Sequence, residues 1–134
     1  MDEVDGEEYI IRRIPPGRPG QDTVLPPHGE RATSATLMLR VNEIGLSCSR
    51  KLITSPEQLL AQIGKSTEDG WSVCTWKVSD IPDDLQVVVT PSEPPELDPG
   101  HCVIRPKPGK SFTKKLASKL AKKSTIVLRG DIIE

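Results

Sequence analysis

Short runs of apolar residues, most of them ended by proline or glycine, recur along this chain of 134 residues. Period-two alternation and β-branched runs predict strands, and proline ends a strand because it lacks an amide donor and fixes φ. The segments that fit are 9–14, 34–41, 45–51, 71–79, 85–90, 100–105 and 125–128. The pattern therefore predicts a mostly antiparallel sheet of five to seven strands.

Three of these segments also predict how the strands are arranged in the sheet. Segments 34–41 and 45–51 are separated by only three residues, which predicts that they pair as a β-hairpin. Segment 85–90 contains Val87, Val88 and Val89 in succession, and a continuous β-branched run is typical of a strand in the middle of a sheet.

Two segments have the signals of helices. Ser55 as N-cap, Pro56 at the first helical position and Gly64 as a stop predict a helix over 55–63. The second helix is predicted over 111–123, with Ser111 as its N-cap. Its apolar side chains share one face, and Lys114, Lys115, Lys119 and Lys122 lie on the opposite side. We expect both helices to cover one face of the sheet.

These elements predict an α+β fold in a single compact domain spanning 9–134, preceded by a flexible acidic N-terminus over 1–8. Segments 15–33 and 91–99 are rich in proline and predict surface loops. Loops of this length are uncommon unless they bind something or are flexible. We therefore expect them to form a variable surface that a partner could order at low entropic cost.

Composition excludes several classes of protein. Hydrophobic residues make up 35% of the chain and charged residues 28%, and no apolar run approaches the length needed to span a bilayer. The three cysteines are widely spaced and form no Cys-x-x-Cys pair, so neither a disulfide framework nor a zinc site is expected. The acidic start of the chain opposes a secretory signal. These features predict a cytoplasmic protein without cofactor, metal or membrane contact.

The charge of the chain is sorted along its length. Residues 105–134 contain nine basic and two acidic residues, for a net charge of +7, whereas residues 1–104 carry a net charge of −8. The overall charge of −1 hides this polarity. Such a separation favours binding to a charged partner and gives no information about a reaction.

No catalytic or metal-binding motif is complete. Gly109-Lys110-Ser111 lacks the additional glycine of a phosphate-binding loop, since Ile104 occupies that position. Asp80, Asp83 and Asp84 flank a proline, where aspartate is favoured in turns, so we interpret them as turn residues and not as ligands of Mg²⁺.

The two histidines are weak catalytic candidates. His101 and Cys102 are neighbours on a strand, point to opposite faces and cannot form a catalytic pair. His101 could still meet a distant partner, for which the sequence offers Cys48, Cys74, Asp80 and Glu43. A hydrogen bond from His101 to the backbone is the simpler interpretation. His28 lies in a proline loop with no partner to define a role.

These observations predict a non-catalytic protein-interaction module, an adaptor or regulatory subunit of a cytoplasmic assembly. The expected binding residues form the basic face, defined as Lys110, Lys114, Lys115, Lys119 and Lys122. An acidic protein is the expected partner, and the oligomeric state is left open. One alternative is a nucleic-acid-binding protein without sequence specificity, because the predicted basic helix offers no Arg, Asn or Gln to read bases. A second is a small enzyme centred on His101. The lysines could also be neutralised by the chain's own acidic segments.

Overall fold

In the part of the chain that the structure describes, six antiparallel strands form one sheet, in the spatial order β4-β5-β2-β1-β3-β6. The structure is a computed structural model and describes residues 2–16, 31–37 and 44–131. The elements are β1 (Tyr9–Ile14), β2 (Leu46–Arg50), α1 (Pro56–Ala61), β3 (Ser72–Lys77), β4 (Leu85–Val89), β5 (His101–Pro106), α2 (Lys114–Lys123) and β6 (Thr125–Leu128). The predicted α+β class, the antiparallel sheet and the two helices are confirmed.

The larger part of the core lies between the sheet and α2. Leu116, Ala117, Leu120 and Ala121 of α2 pack against residues such as Ile10 and Trp76 on one face of the sheet. Trp76 is 1% exposed, and its Nε1–H donates to the carbonyl oxygen of Leu120 at 2.8 Å. This bond fixes α2 relative to β3 while satisfying the indole nitrogen inside the core.

The helix α1 covers the opposite face. Leu59 and Leu60 pack against Ile11 and Val73. The residues next to these in the same strands, Ile10 and Cys74, face α2. Arg13 reinforces this contact, since its Nη1 donates to the carbonyl oxygen of Leu59 at 2.9 Å. The prediction that both helices lie on one face is therefore wrong. The central strands β1 and β3 present apolar side chains on both faces, and each face needs a cover.

The predicted hairpin of 34–41 with 45–51 is also wrong. Ser34–Leu37 is a 3-10 turn that contacts α2, and Leu37 enters the core from there. The strand β2 pairs with β1 on one side and with β5 on the other, which leaves no edge for a hairpin partner. The remainder of the predicted strand, residues 38–41, and most of the predicted loop over 15–33 lie outside the described residues.

The triple-valine strand β4 lies at the edge of the sheet, whereas we predicted a central position. Its side chains are nevertheless buried on both faces of the sheet. Val87 packs into the core between the sheet and α2, and Val88, the next residue, points to the other face and is 1% exposed. Its outer edge is covered by the start of the chain, where the amide of Val4 donates to the carbonyl oxygen of Val87 at 2.9 Å. A strand enclosed in this way has the composition of an internal strand.

Residues 2–8, for which the sequence predicts flexibility, make specific contacts in the structure. Val4 is buried in the core, and Glu8 forms a two-bond ion pair with Arg50 at 2.7 and 2.9 Å. The amide of Val89 also donates to the carbonyl oxygen of Asp2 at 2.8 Å. These contacts place the acidic start of the chain alongside β4 and the end of β2.

The ends of the helices follow local signals with two exceptions. Ser55 caps α1 as predicted and exchanges hydrogen bonds with Gln58. The helix ends at Ala61, two residues before the predicted end, and a turn leads from there to Gly64, which adopts a left-handed φ of 68°. The helix α2 starts later than expected, because Thr113 and not Ser111 accepts the capping bond, from the amide of Leu116 at 3.2 Å. No helix within 2–16, 31–37 or 44–131 is long and apolar enough to cross a membrane.

Replacing Leu120 with Ala tests the role of α2 in the core. Leu120 is fully buried, so we expect the free energy of unfolding to fall by about 2–5 kcal/mol through lost apolar contact and a residual cavity. Urea denaturation followed by the fluorescence of Trp76 and Trp71 measures the change. Lys119→Ala on the same helix should alter stability by less than about 0.5 kcal/mol. Equal losses in the two variants would contradict this packing.

Candidate functional site

The exposed side of α2 is a surface of lysines. Because the apolar residues of this helix face the sheet, its other side chains are turned to solvent. All the lysines of the helix are exposed, and together they form what we call the lysine surface of α2: Lys114, Lys115, Lys119, Lys122 and Lys123. The structure thus places four of the predicted binding residues together on one helix face and adds Lys123, which the sequence analysis did not select.

The lysines of α2 have no carboxylate partner within 4 Å among the described residues. Lys115 and Lys119 are four residues apart, as are Lys119 and Lys123, so like charges are neighbours on the helix surface. Each such pair is unfavourable by about 0.2–0.5 kcal/mol. Lys114 and Lys115 also occupy the first turn, which contains no acidic residue and lies at the positive end of the helix dipole. A negative ligand would relieve both effects.

Lys110, the remaining predicted binding residue, is partly engaged within the chain. It precedes α2, follows the left-handed Gly109 and lies 3.9 Å from an oxygen of Asp84. Both side chains are about half exposed, so this ion pair contributes little to stability. Lys110 therefore lies at the acidic border of the lysine surface and not at its centre.

An open depression of about 370 Å³ separates the lysines from an acidic turn. Its border combines both charges: Asp80, Asp83, Asp84, Lys119, Lys122 and Lys123, with Pro82 and Leu116 between them. Val78–Asp80 forms a 3-10 turn, which confirms that this acidic segment is a turn. A surface with this border presents cations beside anions, which matches a partner of mixed charge better than a uniform polyanion.

Phe112, the aromatic residue nearest to α2 in the chain, does not extend the lysine surface. It is partly buried and packs against the α2 core. Binding of single-stranded nucleic acid usually combines lysines with exposed aromatic rings on which bases stack. The surface of α2 provides the lysines, but Phe112, the aromatic residue nearest in the chain, packs into the core instead of being exposed for stacking.

His101 is held in a structural arrangement. Its Nδ1 lies 3.0 Å from the carbonyl oxygen of Thr90 and 2.8 Å from the Oγ1 of the same residue. His101 pairs across the strands with Ser49, whereas Cys48 pairs with Cys102 in the next register position and faces the other way.

The partners that the sequence offered for His101 are not brought to it. Cys48 and Cys74 belong to the core beneath α2, on the opposite face of the sheet, and Asp80 lies at the acidic turn. Glu43 and the other histidine, His28, lie outside the described residues. The side chain of His101 therefore supports the backbone of Thr90, as the simpler interpretation proposed.

A buried polar cluster around Asp98 was not anticipated from the sequence. Asp98 is 6% exposed and accepts hydrogen bonds from Ser49 Oγ, from Thr54 Oγ1 at 3.0 Å and from the amide of Gly100 at 3.2 Å. Its own amide donates to Ser92 Oγ at 3.1 Å. Ser49 is fully buried, so it cannot act as a nucleophile on a substrate. The cluster fastens the loop 91–99 to β2 and to the turn that follows it.

No local signal identified this cluster. Asp98 ends a proline-rich stretch, and Ser49 and Thr54 are 49 and 44 residues away in the chain. A hydroxyl in a strand and an aspartate in a loop are each common in solvent-exposed positions. Only the pairing of β2 with β5 brings them together.

The three cysteines lie on the face of the sheet that α2 covers, and all are free thiols. Burial raises the pKa of Cys48 to about 12, and it also raises the pKa of Cys74 and Cys102. A thiol that stays protonated at neutral pH is a poor nucleophile and a poor metal ligand. Within the described part of the chain no group of three or more His, Cys, Asp or Glu side chains is placed to hold a metal ion.

The raised thiol pKa values predict a loss of stability in alkali. Above about pH 9 the unfolded chain releases thiol protons that the folded protein retains, so the free energy of unfolding falls as pH rises toward 12. Each buried thiol contributes at most about 1.4 kcal/mol per pH unit. Urea denaturation between pH 8 and pH 11 should show a shallower decline for Cys48→Ala than for the unchanged protein. Identical slopes would contradict this linkage.

Removing the carboxylate of Asp98 tests its role in fastening the loop. In Asp98→Ala the buried hydroxyls of Ser49 and Thr54 lose their acceptor, so we expect a destabilisation of about 2–4 kcal/mol. Cleavage of the loop 91–99 by a protease in limited digestion should also become faster. Glu96→Ala, in the same loop but exposed, is the matched control and should leave both measurements unchanged.

Comparison with known proteins assigns no family to this chain. None of the protein-family models, curated proteins or solved structures with which the chain was compared matches it significantly.

Proposed function

We propose that the protein is a non-catalytic interaction module that binds an acidic protein partner through the lysine surface of α2. The observation that carries this proposal is the set of five exposed lysines without a carboxylate partner among the described residues. Because the apolar side of α2 is buried, the backbone of the helix sets the positions at which these side chains leave it. A partner still has to order the flexible lysine side chains, which costs about 0.5–1.5 kcal/mol for each one that it immobilises.

The acidic border favours a protein over a nucleic acid as the partner. Asp80, Asp83 and Asp84 border the same depression as Lys119 and Lys122. A phosphate backbone passing along α2 would meet these carboxylates, which costs binding energy, whereas a protein can place a basic side chain opposite them. The proposed role is an adaptor or regulatory subunit, and the cytoplasmic location predicted from the sequence belongs to the same proposal.

Binding to nucleic acid without sequence specificity is the second candidate, supported by the uncompensated lysines themselves. Its signature is an affinity that falls steeply as salt rises, because phosphate contacts release counterions. Filter binding with random-sequence DNA and RNA at several salt concentrations measures that slope. A measurable slope that Lys119→Glu reduces would favour this candidate over the protein partner.

Reversing the charge of the lysine surface tests the proposed function. In a variant with Lys115, Lys119 and Lys122 all changed to Glu, the partner should no longer be retained in affinity capture from nuclease-treated extract. Each reversed lysine places a carboxylate where the acidic partner binds, so we expect at least a hundredfold loss of affinity, about 2.7 kcal/mol or more. Urea denaturation checks that the triple variant is folded.

Single changes provide a matched control. Lys119→Glu and Lys65→Glu alter the net charge equally, but Lys65 lies just after α1, on the opposite side of the sheet from α2. We expect capture to weaken with the first change and to persist with the second. Unchanged capture by the triple variant, or equal losses in the two single variants, would contradict a role for α2.

A further inference from the structure

A second depression lies at the end of the sheet where β1 begins and β2 ends. Its volume is about 560 Å³, and its border consists of Asp5, Glu7, Glu8, Tyr9, Lys51 and Leu52. None of these residues belongs to α2 or to the acidic turn beside it. This end groove is therefore distinct from the surface to which the proposed function is assigned.

The end groove combines a protruding apolar side chain with a recess. Leu52 is 79% exposed and Tyr9 is 46% exposed, and both border the same depression. Leu52 and Ile53 follow each other in the turn after β2, and Ile53 is also exposed. Large apolar side chains exposed in one region of a protein are a feature of interaction sites.

The turn that carries Leu52 is held by hydrogen bonds on both sides. The amide of Lys51 donates to the carbonyl oxygen of Tyr9 at 3.0 Å, and the amides of Ile53 and Thr54 both donate to the carbonyl oxygen of Arg50 at 3.0 Å. The side chain of Thr54 donates to Asp98. The backbone beneath Leu52 is thus fixed before any contact forms, which lowers the entropic cost of binding.

The charges of the end groove are nearly balanced. Glu8 is paired with Arg50 at 2.7 Å, and Glu7 with Lys77 at 3.4 Å. This leaves Asp5 and Lys51, one of each sign, without an ion pair among the residues that the structure describes. The ammonium group of Lys51 lies over the ring of Tyr9, 5.8 Å from its centroid, so it contacts an aromatic ring and no carboxylate. A strongly charged ligand gains little at such a surface. A partner that also presents one charge of each sign beside an apolar protrusion is complementary to it.

The surface that meets this description is a second copy of the same end groove. We propose that the protein forms a two-fold symmetric dimer in which Leu52 of each copy packs beside Tyr9 of the other. A two-fold contact requires a self-complementary patch, and a patch with a protrusion, a recess and both signs of charge is self-complementary. The dimer would leave the lysines of α2 exposed on both copies.

Analytical ultracentrifugation of the full chain from about 1 µM to about 500 µM tests the dimer. We expect a reversible equilibrium between monomer and dimer. Leu52→Asp should raise its dissociation constant at least tenfold, because a carboxylate would be buried in the contact. The matched control is Ile44→Asp, since Ile44 is 74% exposed but precedes the start of β2, at the other end of that strand.

Three outcomes would overturn the dimer. One is a monomer at every concentration, the second is equal dissociation by the two aspartate variants, and the third is growth to species larger than a dimer, which would indicate a contact that does not close. A monomer in which Leu52→Asp abolishes binding of another protein would instead assign the end groove to that protein.

Cross-linking gives a second readout that does not depend on disrupting the contact. The native thiols are buried, so Cys introduced at position 52 is the accessible thiol of the described chain. In the proposed contact position 52 of one copy lies beside position 9 of the other, so a mixture of the Leu52→Cys and Tyr9→Cys variants should form a disulfide-linked dimer on mild oxidation by dissolved oxygen, and a mixture of Ile44→Cys with Tyr9→Cys should not. A protein that dimerises but whose mixed Leu52→Cys and Tyr9→Cys variants stay uncross-linked would exclude the symmetric contact, even if it associates by another surface.

Discussion

The structure depends on burying both faces of the central strands. Ile10 and Ile11 are successive residues of β1, point to opposite faces and are both fully buried. Such a pair cannot be satisfied by a single layer of helices, since water would then reach one of the two side chains. The helix α2 therefore covers one face and α1 the other, which gives three layers in a small domain.

The position of the lysines follows from this burial. Once Leu116 and Leu120 are packed against the sheet, the 3.6-residue period of α2 turns Lys115 and Lys119 to solvent. The hydrogen bond from Trp76 to Leu120 limits rotation and sliding of the helix along the sheet. The core thus sets the positions at which the lysines leave the helix. Lys119, Lys122 and Lys123 border a depression together with the acidic turn, but form no ion pair within 4 Å among the described residues.

Two polar contacts, one buried at Asp98 and one partly buried at Glu8, hold segments that lie outside the apolar core. Asp98 joins the loop 91–99 to β2, and Glu8 joins the start of the chain to Arg50. Both contacts connect segments more than forty residues apart in sequence. Both contacts hold the end of the sheet where Leu52 lies. The end groove is formed there.

Several elements could be predicted because their signals are local. Ser55 and Pro56 define the start of α1, and the left-handed Gly64 ends the turn that follows it. A short, mostly apolar run that stops at Pro15 defines β1, and period-two alternation defines β3. The hairpin of 34–41 with 45–51 was wrong because residues 34–37, where the predicted strand begins, form a 3-10 turn that buries Leu37, and both edges of β2 are occupied by other strands. The edge position of β4 was missed because its cover comes from the start of the chain.

The sequence by itself determined the amphipathic character of α2, the positions of its lysines and the antiparallel α+β class, since each follows from the spacing of neighbouring residues. The tertiary structure decided which face each helix covers, which carboxylates approach the lysines and which hydroxyls surround Asp98. These relations join residues that are distant along the chain. Such contacts form only when the strands pair, so no local pattern in the sequence specifies them.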